Sequence, residues 1–198
     1  MAEPTGSDGT RRGWRLLPRS RWLRYPLLGF IGLVGGLVFT GSFTTLVEST
    51  NSLEFCTSCH DMTYNYEEYK KTKHYKNASG IRAVCSDCHV PKRGWGDEMR
   101  RKLIAGKDVW SEIVGVIDTR EKFDRHRIVM AKREWARMKE SDSIGCRNCH
   151  NWESMELGDQ DKLAAKKHER VISGDLKDKT CIDCHKGIVH EIPKEEDG

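Results

Sequence analysis

The chain has 198 residues, with 34 lysines and arginines against 30 aspartates and glutamates, for a formal charge of +4. So even a balance gives no field that would hold a nucleic acid, and no nucleic-acid partner is expected. Hydrophobic residues make up only 37%, while eight cysteines and eight histidines are far more than an ordinary helical domain carries.

The first 25 residues hold Arg11, Arg12, Arg15, Arg19, Arg21 and Arg24 against only Glu3 and Asp8, so this head accounts for the whole net charge. Residues 26–198 are neutral, with 28 basic and 28 acidic side chains. Any docking patch for a partner must therefore be local. Pro26 to Val47 is 22 residues without a charge. At about 1.5 Å per residue it crosses a hydrocarbon core of about 30 Å. It is too long for a signal-peptide core and lacks a clear small-x-small cleavage site, so an uncleaved single-pass anchor is expected. The arginine head places the N-terminus in the cytoplasm and sends 48–198 across a bacterial inner membrane into the periplasm. Gly32-x-x-x-Gly36 is a small-residue pattern that allows self-association in the bilayer, although glycine is common in membrane helices.

Beyond the span every cysteine falls in one of four Cys-x-x-Cys-His boxes: Cys56, Cys59 and His60; Cys85, Cys88 and His89; Cys146, Cys149 and His150; Cys181, Cys184 and His185. Two thiols bond the vinyl groups of a porphyrin and the next imidazole binds the iron, which makes each box a c-type haem attachment site. A histidine directly after the second cysteine suits neither tetrahedral zinc nor a thioredoxin-like turn. Four covalently attached haem c groups follow, and with them a tetrahaem cytochrome. His74, His126, His168 and His190 remain, nearly one free imidazole per haem for a sixth ligand. Boxes 1 and 2 start 29 residues apart and boxes 3 and 4 start 35 apart, with His74 and His168 inside the two pairs. Two dihaem modules, about 52–90 and 141–192, joined by a connector at 91–140, are the simplest organisation.

Strand signals are nearly absent, so the expected fold is mainly α with extensive loops, porphyrins taking the place of much apolar core. Helices are expected over 63–76, over 121–139 with Asp118 and Glu121 marking the start, and over 161–173 with Gly174 as the stop. Phe123, Met130, Trp135 and Met138 line one face of the second; Leu163, Ala164, His168, Val171 and Ile172 share a side of the third.

These residues carry a family resemblance. The arginine head and span, Cys56-x-x-Cys59-His60-x-Met62, the run His74 to Ala83, Cys85 to Pro91, Lys102-Leu103, Gly115 to Thr119, Glu121-Lys122-Phe123, Cys146 to Asn151 and Cys181 to His190 resemble the NapC/NirT/NrfH family of membrane-anchored tetrahaem quinol dehydrogenases. The match runs over roughly residues 15–192. It implies a quinol dehydrogenase that takes electrons from membrane quinol, menaquinol or ubiquinol, and hands them to a periplasmic terminal reductase of nitrate- or nitrite-type anaerobic respiration. It implies His74, His168 and His190 as the distal ligands of haems 2, 3 and 4, whose proximal ligands are His89, His150 and His185. His190, only five residues past His185, is expected to reach a neighbouring haem, and His126, among arginines suited to haem propionates, is left without an iron. Lys92 stands where some relatives have a histidine. Met62 lies too near His60 to reach the opposite porphyrin face, so it either packs as an apolar neighbour or takes the iron in place of His60, as the matching methionine does in the NrfH branch. The resemblance also places Asp108 over the open face of haem 1 as proton acceptor, with Lys102 or Lys107 orienting the quinol oxygen.

Two other functions use the same cofactors. A tethered relay between soluble proteins needs no proton acceptor beside haem 1. A haem-based terminal reductase wants a cationic cavity over an open iron and often a variant box ending in lysine, which this sequence lacks.

Overall fold

The structure, a computed structural model, describes residues 21–90 and 93–193, so the basic head before residue 21 and Lys92 lie outside the described residues. All regular structure among them is helical. Contacts divide the chain into two units at Val47/Glu48.

The first unit is helix α1, Arg21–Ser49, whose end runs into the second. From Trp22 to Ser49 it is long and apolar enough to cross a membrane, and none of its apolar stretch is buried by protein. Thr44 and Thr45 return their hydroxyls to the carbonyls of Thr40 and Gly41, which satisfies those groups within the helix.

The second unit is a set of short box helices wrapped by two long ones. Box 1 opens on the last residue of α2 (Leu53–Cys56), a helix started by Ser52, whose hydroxyl accepts the Phe55 N–H at 3.1 Å. Then come α3 (Met62–Tyr69), box 2 on α4 (Cys85–His89), α5 (Trp95–Ile113), α6 (Arg120–Glu140), box 3 on α7 (Ile144–Arg147), α8 (Lys162–Ile172) and box 4 on α9 (Cys181–Cys184). Boxes 2 and 4 share a lock: Asp87 accepts the Val84 N–H and Asp183 the Thr180 N–H, each at 2.8 Å, so an aspartate inside the box ties down the residue before it.

Helix α3 stops seven residues short of the expected 76. Thr72 donates its hydroxyl to the Tyr69 carbonyl, and the N–H groups of Lys71 and Thr72 take i−3 carbonyls, so the chain tightens into turns. The start of α6 is capped by Thr119, not Asp118, whose carboxylate pairs with Lys122 at 2.6 Å. Helix α8 begins and ends as expected, with Asp161 accepting the Leu163 and Ala164 N–H groups and Gly174 at φ +87° beyond its end. Leu163 and Ile172, on the side that they share with His168, are exposed. Helix α5, within the connector, was not among the expected helices.

Only Tyr69, Ile117, Phe123 and Ile182 are buried apolar residues among those described. Polar ties do much of the joining. Ser143, almost fully buried and left-handed at φ +51°, donates to the Thr180 hydroxyl at 3.0 Å and accepts the Ile182 N–H at 3.2 Å, fastening box 3 to box 4.

Candidate haem and electron-transfer site

The four boxes meet in chain order. Cys56 lies beside Cys85, and Cys146 beside Cys181, so box 1 lies beside box 2 and box 3 beside box 4. The middle joint is α4 against α7, where Gly145 passes so close that an added Cβ would sit 2.8 Å from the Asp87 carbonyl oxygen and 2.9 Å from that of Cys88. Only glycine allows this approach.

Three pairs of imidazoles face one another. His89 and His190 have ring centroids 6.2 Å apart, His74 and His150 6.2 Å, and His168 and His185 6.0 Å. Two imidazoles on one metal, each nitrogen about 2 Å from it, put their centroids roughly 6 Å apart. The residues fit a haem iron held between each pair. The two box pairs are interlocked: His74, from the first pair, stands against box 3, and His190, after box 4, stands against box 2.

In each pair the surroundings favour the neutral form, the one that ligates metal, in one ring. Burial, then the charge of His89, lowers His190 to about 4. Burial likewise lowers His74 beside His150, and His185 beside His168. Further partners fix ring orientation. His89 Nδ1 is hydrogen-bonded to Glu134 at 3.0 Å and His168 Nδ1 to Gln160 at 2.6 Å. Burial opposes the charge of Glu134, but its bond to His89 and the nearby Arg137 and Arg101 outweigh that and hold its carboxyl low. Buried Glu68 accepts from Arg127 and from the Glu191 N–H at 3.0 Å, which pins the backbone next to His190.

Box 1 differs. The His60 ring is exposed and both nitrogens are taken, Nε2 by the Asp118 carbonyl at 2.8 Å and Nδ1 by Glu112 at 3.1 Å. Met62, half-buried, opens α3 directly after the buried Asp61. Burial and the charge of Asp61 push the Glu112 carboxyl up, with His60 opposing.

Of the three residues expected to handle quinol, all on α5, Lys102 lies near Cys56 and bonds Thr50 Oγ1 and Asn51 Oδ1 at 2.5 and 2.7 Å. Asp108 pairs with Arg133 at 2.6 Å, and Lys107 is exposed. The carboxylate that meets box 1 is Glu112, one turn beyond Asp108. His126 is exposed and hydrogen-bonded to its own helix at the Lys122 carbonyl. Glu112, Glu134, Gln160 and Glu68 were not singled out in the sequence; each meets its histidine only through tertiary packing, save Gln160, which lies near His168 in the chain.

Residues 19–195 match the NapC/NirT cytochrome c family, N-terminal region. The chain belongs to this family. Among similar proteins, NirT of Stutzerimonas stutzeri, a denitrification system component, is 49% identical over 98% of this chain and 96% of its own. NapC of Paracoccus pantotrophus is 49% identical over 91% of this chain and 76% of its own. A tetraheme cytochrome-c type protein of Allochromatium vinosum is 47% identical over 88% of this chain and 93% of its own. No solved structure matches the chain. As a member of the family, with four intact boxes, the chain is a tetrahaem c-type cytochrome with an N-terminal helix that fits a membrane anchor.

Proposed function

We propose that the chain oxidises membrane quinol, menaquinol or ubiquinol, and passes the electrons to a periplasmic terminal reductase in nitrate- or nitrite-type respiration. Helix α1 anchors it with the N-terminus in the cytoplasm. Bound haem supplies one-electron redox centres. The observation that carries the proposal is the order of the boxes: 1 touches 2, 2 packs on 3, and 3 touches 4, so the attachment sites form one file. The names of the relatives, NirT of a denitrification system and NapC, support the respiratory setting.

The residues divide the work. His89 with His190, His150 with His74 and His185 with His168 hold haems 2, 3 and 4. Met62 ligates haem 1, because both nitrogens of His60 are engaged by Asp118 and Glu112. A quinol releases two protons with its two electrons, and an acceptor is needed beside box 1. Glu112 suits that role better than Asp108: it meets box 1 at His60 and its carboxyl is pushed up by burial and Asp61, whereas Asp108 faces Arg133. Lys102, near Cys56, is the cation placed to orient a ring oxygen.

The test is reduction of the full-length protein by quinol in liposomes, followed at the haem absorbance. Glu112→Gln should slow it by roughly 10²-fold or more, the usual range for a lost general base, and leave dithionite reduction unchanged. If Glu112→Gln reacts normally and Asp108→Asn is slow, the acceptor is Asp108. If quinol reduces none of the proteins, the quinol reading fails and the tethered relay replaces it.

A further inference from the structure

Helix α5 is amphipathic in the inverted sense. A helix of a soluble domain hides its apolar stripe and shows its charges. Here Leu103, Trp110 and Ile113 are 79%, 62% and 69% exposed, and Trp95 and Val109 are exposed with them. At 100° per residue these five positions fall within about a third of the helix circumference, one stripe along α5. The charged side turns inward. Arg101 donates to the His89 carbonyl at 3.0 Å and Glu112 meets His60, both from the side of α5 away from the stripe, so the apolar stripe points away from these boxes. Lys102, seven residues from both Trp95 and Val109, lies on the stripe's own face and donates to Thr50 and Asn51.

The occupant of that stripe follows from where α5 is tied. Thr50 and Asn51, which Lys102 grips, are the first two residues after α1. Asn51 also donates to Glu98 of α5 at 2.8 Å. The residues that leave a membrane span lie at the headgroup level, and three hydrogen bonds hold α5 to them. Trp95 and Trp110 are the side-chain type that prefers this boundary, and the exposed cations Arg93, Arg100 and Lys107 flank the stripe as anionic headgroups require.

We infer that the outward stripe of α5 lies in the headgroup–acyl boundary of the bilayer that α1 spans, as a second, interfacial membrane contact. The second unit is thereby fixed to the lipid surface along a helix as well as through the chain that leaves α1. This reading stands whether or not the protein oxidises quinol.

Full-length protein in nanodiscs of phosphatidylethanolamine and phosphatidylglycerol provides the test. Leu103, Trp110 and Ile113 are each replaced by photoreactive p-benzoylphenylalanine, with the exposed Val129 and Leu163 as controls and haem absorbance as the check on assembly. Lipid adducts should form several-fold more at the α5 positions than at the controls. In the unsubstituted protein, hydroxyl-radical footprinting should oxidise Leu103 more slowly than Leu163, although Leu103 is the more exposed of the two in the protein itself. Adducts at control levels, equal oxidation of the two leucines, or crosslinks from α5 to a second copy of the chain in place of lipid would overturn the inference.

Discussion

Glu68 is the residue whose loss should most clearly separate packing from ligation. It is buried, its carboxylate is held by Arg127, itself only 13% exposed at the side chain, and it takes the Glu191 N–H one residue past His190. Glu68→Ala therefore does two things. It leaves the Arg127 guanidinium buried without its counter-charge, a loss of about 3–5 kcal/mol for a broken buried pair. It also frees the backbone that carries His190 to His89. For a domain of this size that energy lowers the melting temperature by about 6–20 °C. Circular dichroism at 222 nm reads the melting, and electron spin resonance at low temperature reads haem 2 passing from low to high spin. Arg127→Ala should cost similarly, and the double variant less than the sum of the two, because no unpaired charge then remains. Additive losses, or a Glu68→Ala protein that melts within about 2 °C of the wild type, would refute the reasoning, since about 1 kcal/mol or less would then be at stake.

Replacing His190, His74 or His168 by alanine should each convert one low-spin haem to high spin, while His126→Ala should leave the spectrum unchanged; a spectrum altered by His126→Ala, or unaltered by one of the other three, overturns the pairing. Met62→Ala should remove an axial ligand from haem 1 and shift its signal, whereas His60→Ala should leave the iron coordination intact; the reverse pattern by magnetic circular dichroism would assign His60. Gly145→Ala brings a methyl to 2.8 Å of a fixed backbone oxygen, so α4 and α7 must separate. The yield of four-haem protein and the rate of electron passage from haem 2 to haem 3 should both fall, and a normal rate in stopped-flow reduction would show that the close approach is dispensable.

The cofactor count and the anchor were legible in the sequence because each rests on local chemistry: a box of five residues, or an uncharged run of membrane length. The α8 helix was legible for the same reason, with Asp161 and Gly174 as start and stop. The pairing of histidines was not, since which imidazole meets which box depends on chain crossings such as that of His190 to His89, over a hundred residues apart. Helix α5 carries an apolar stripe of helical period in its sequence, but which way that stripe faces is set by the tertiary ties of Arg101 and Glu112 to boxes 2 and 1. Asp108 and Glu112 share a face one turn apart, and only the fold shows that Arg133 takes the first and His60 the second.

The proposed function turns on box 1 serving quinol. A redox titration of the full-length protein in lipid, with optical and electron spin resonance readout and with or without a non-oxidisable quinol analogue, tests that most directly. One haem should be high spin, and the analogue should shift its signal and midpoint potential while the three bis-histidine haems stay unchanged. Four low-spin haems, or a high-spin haem indifferent to the analogue, would contradict the assignment.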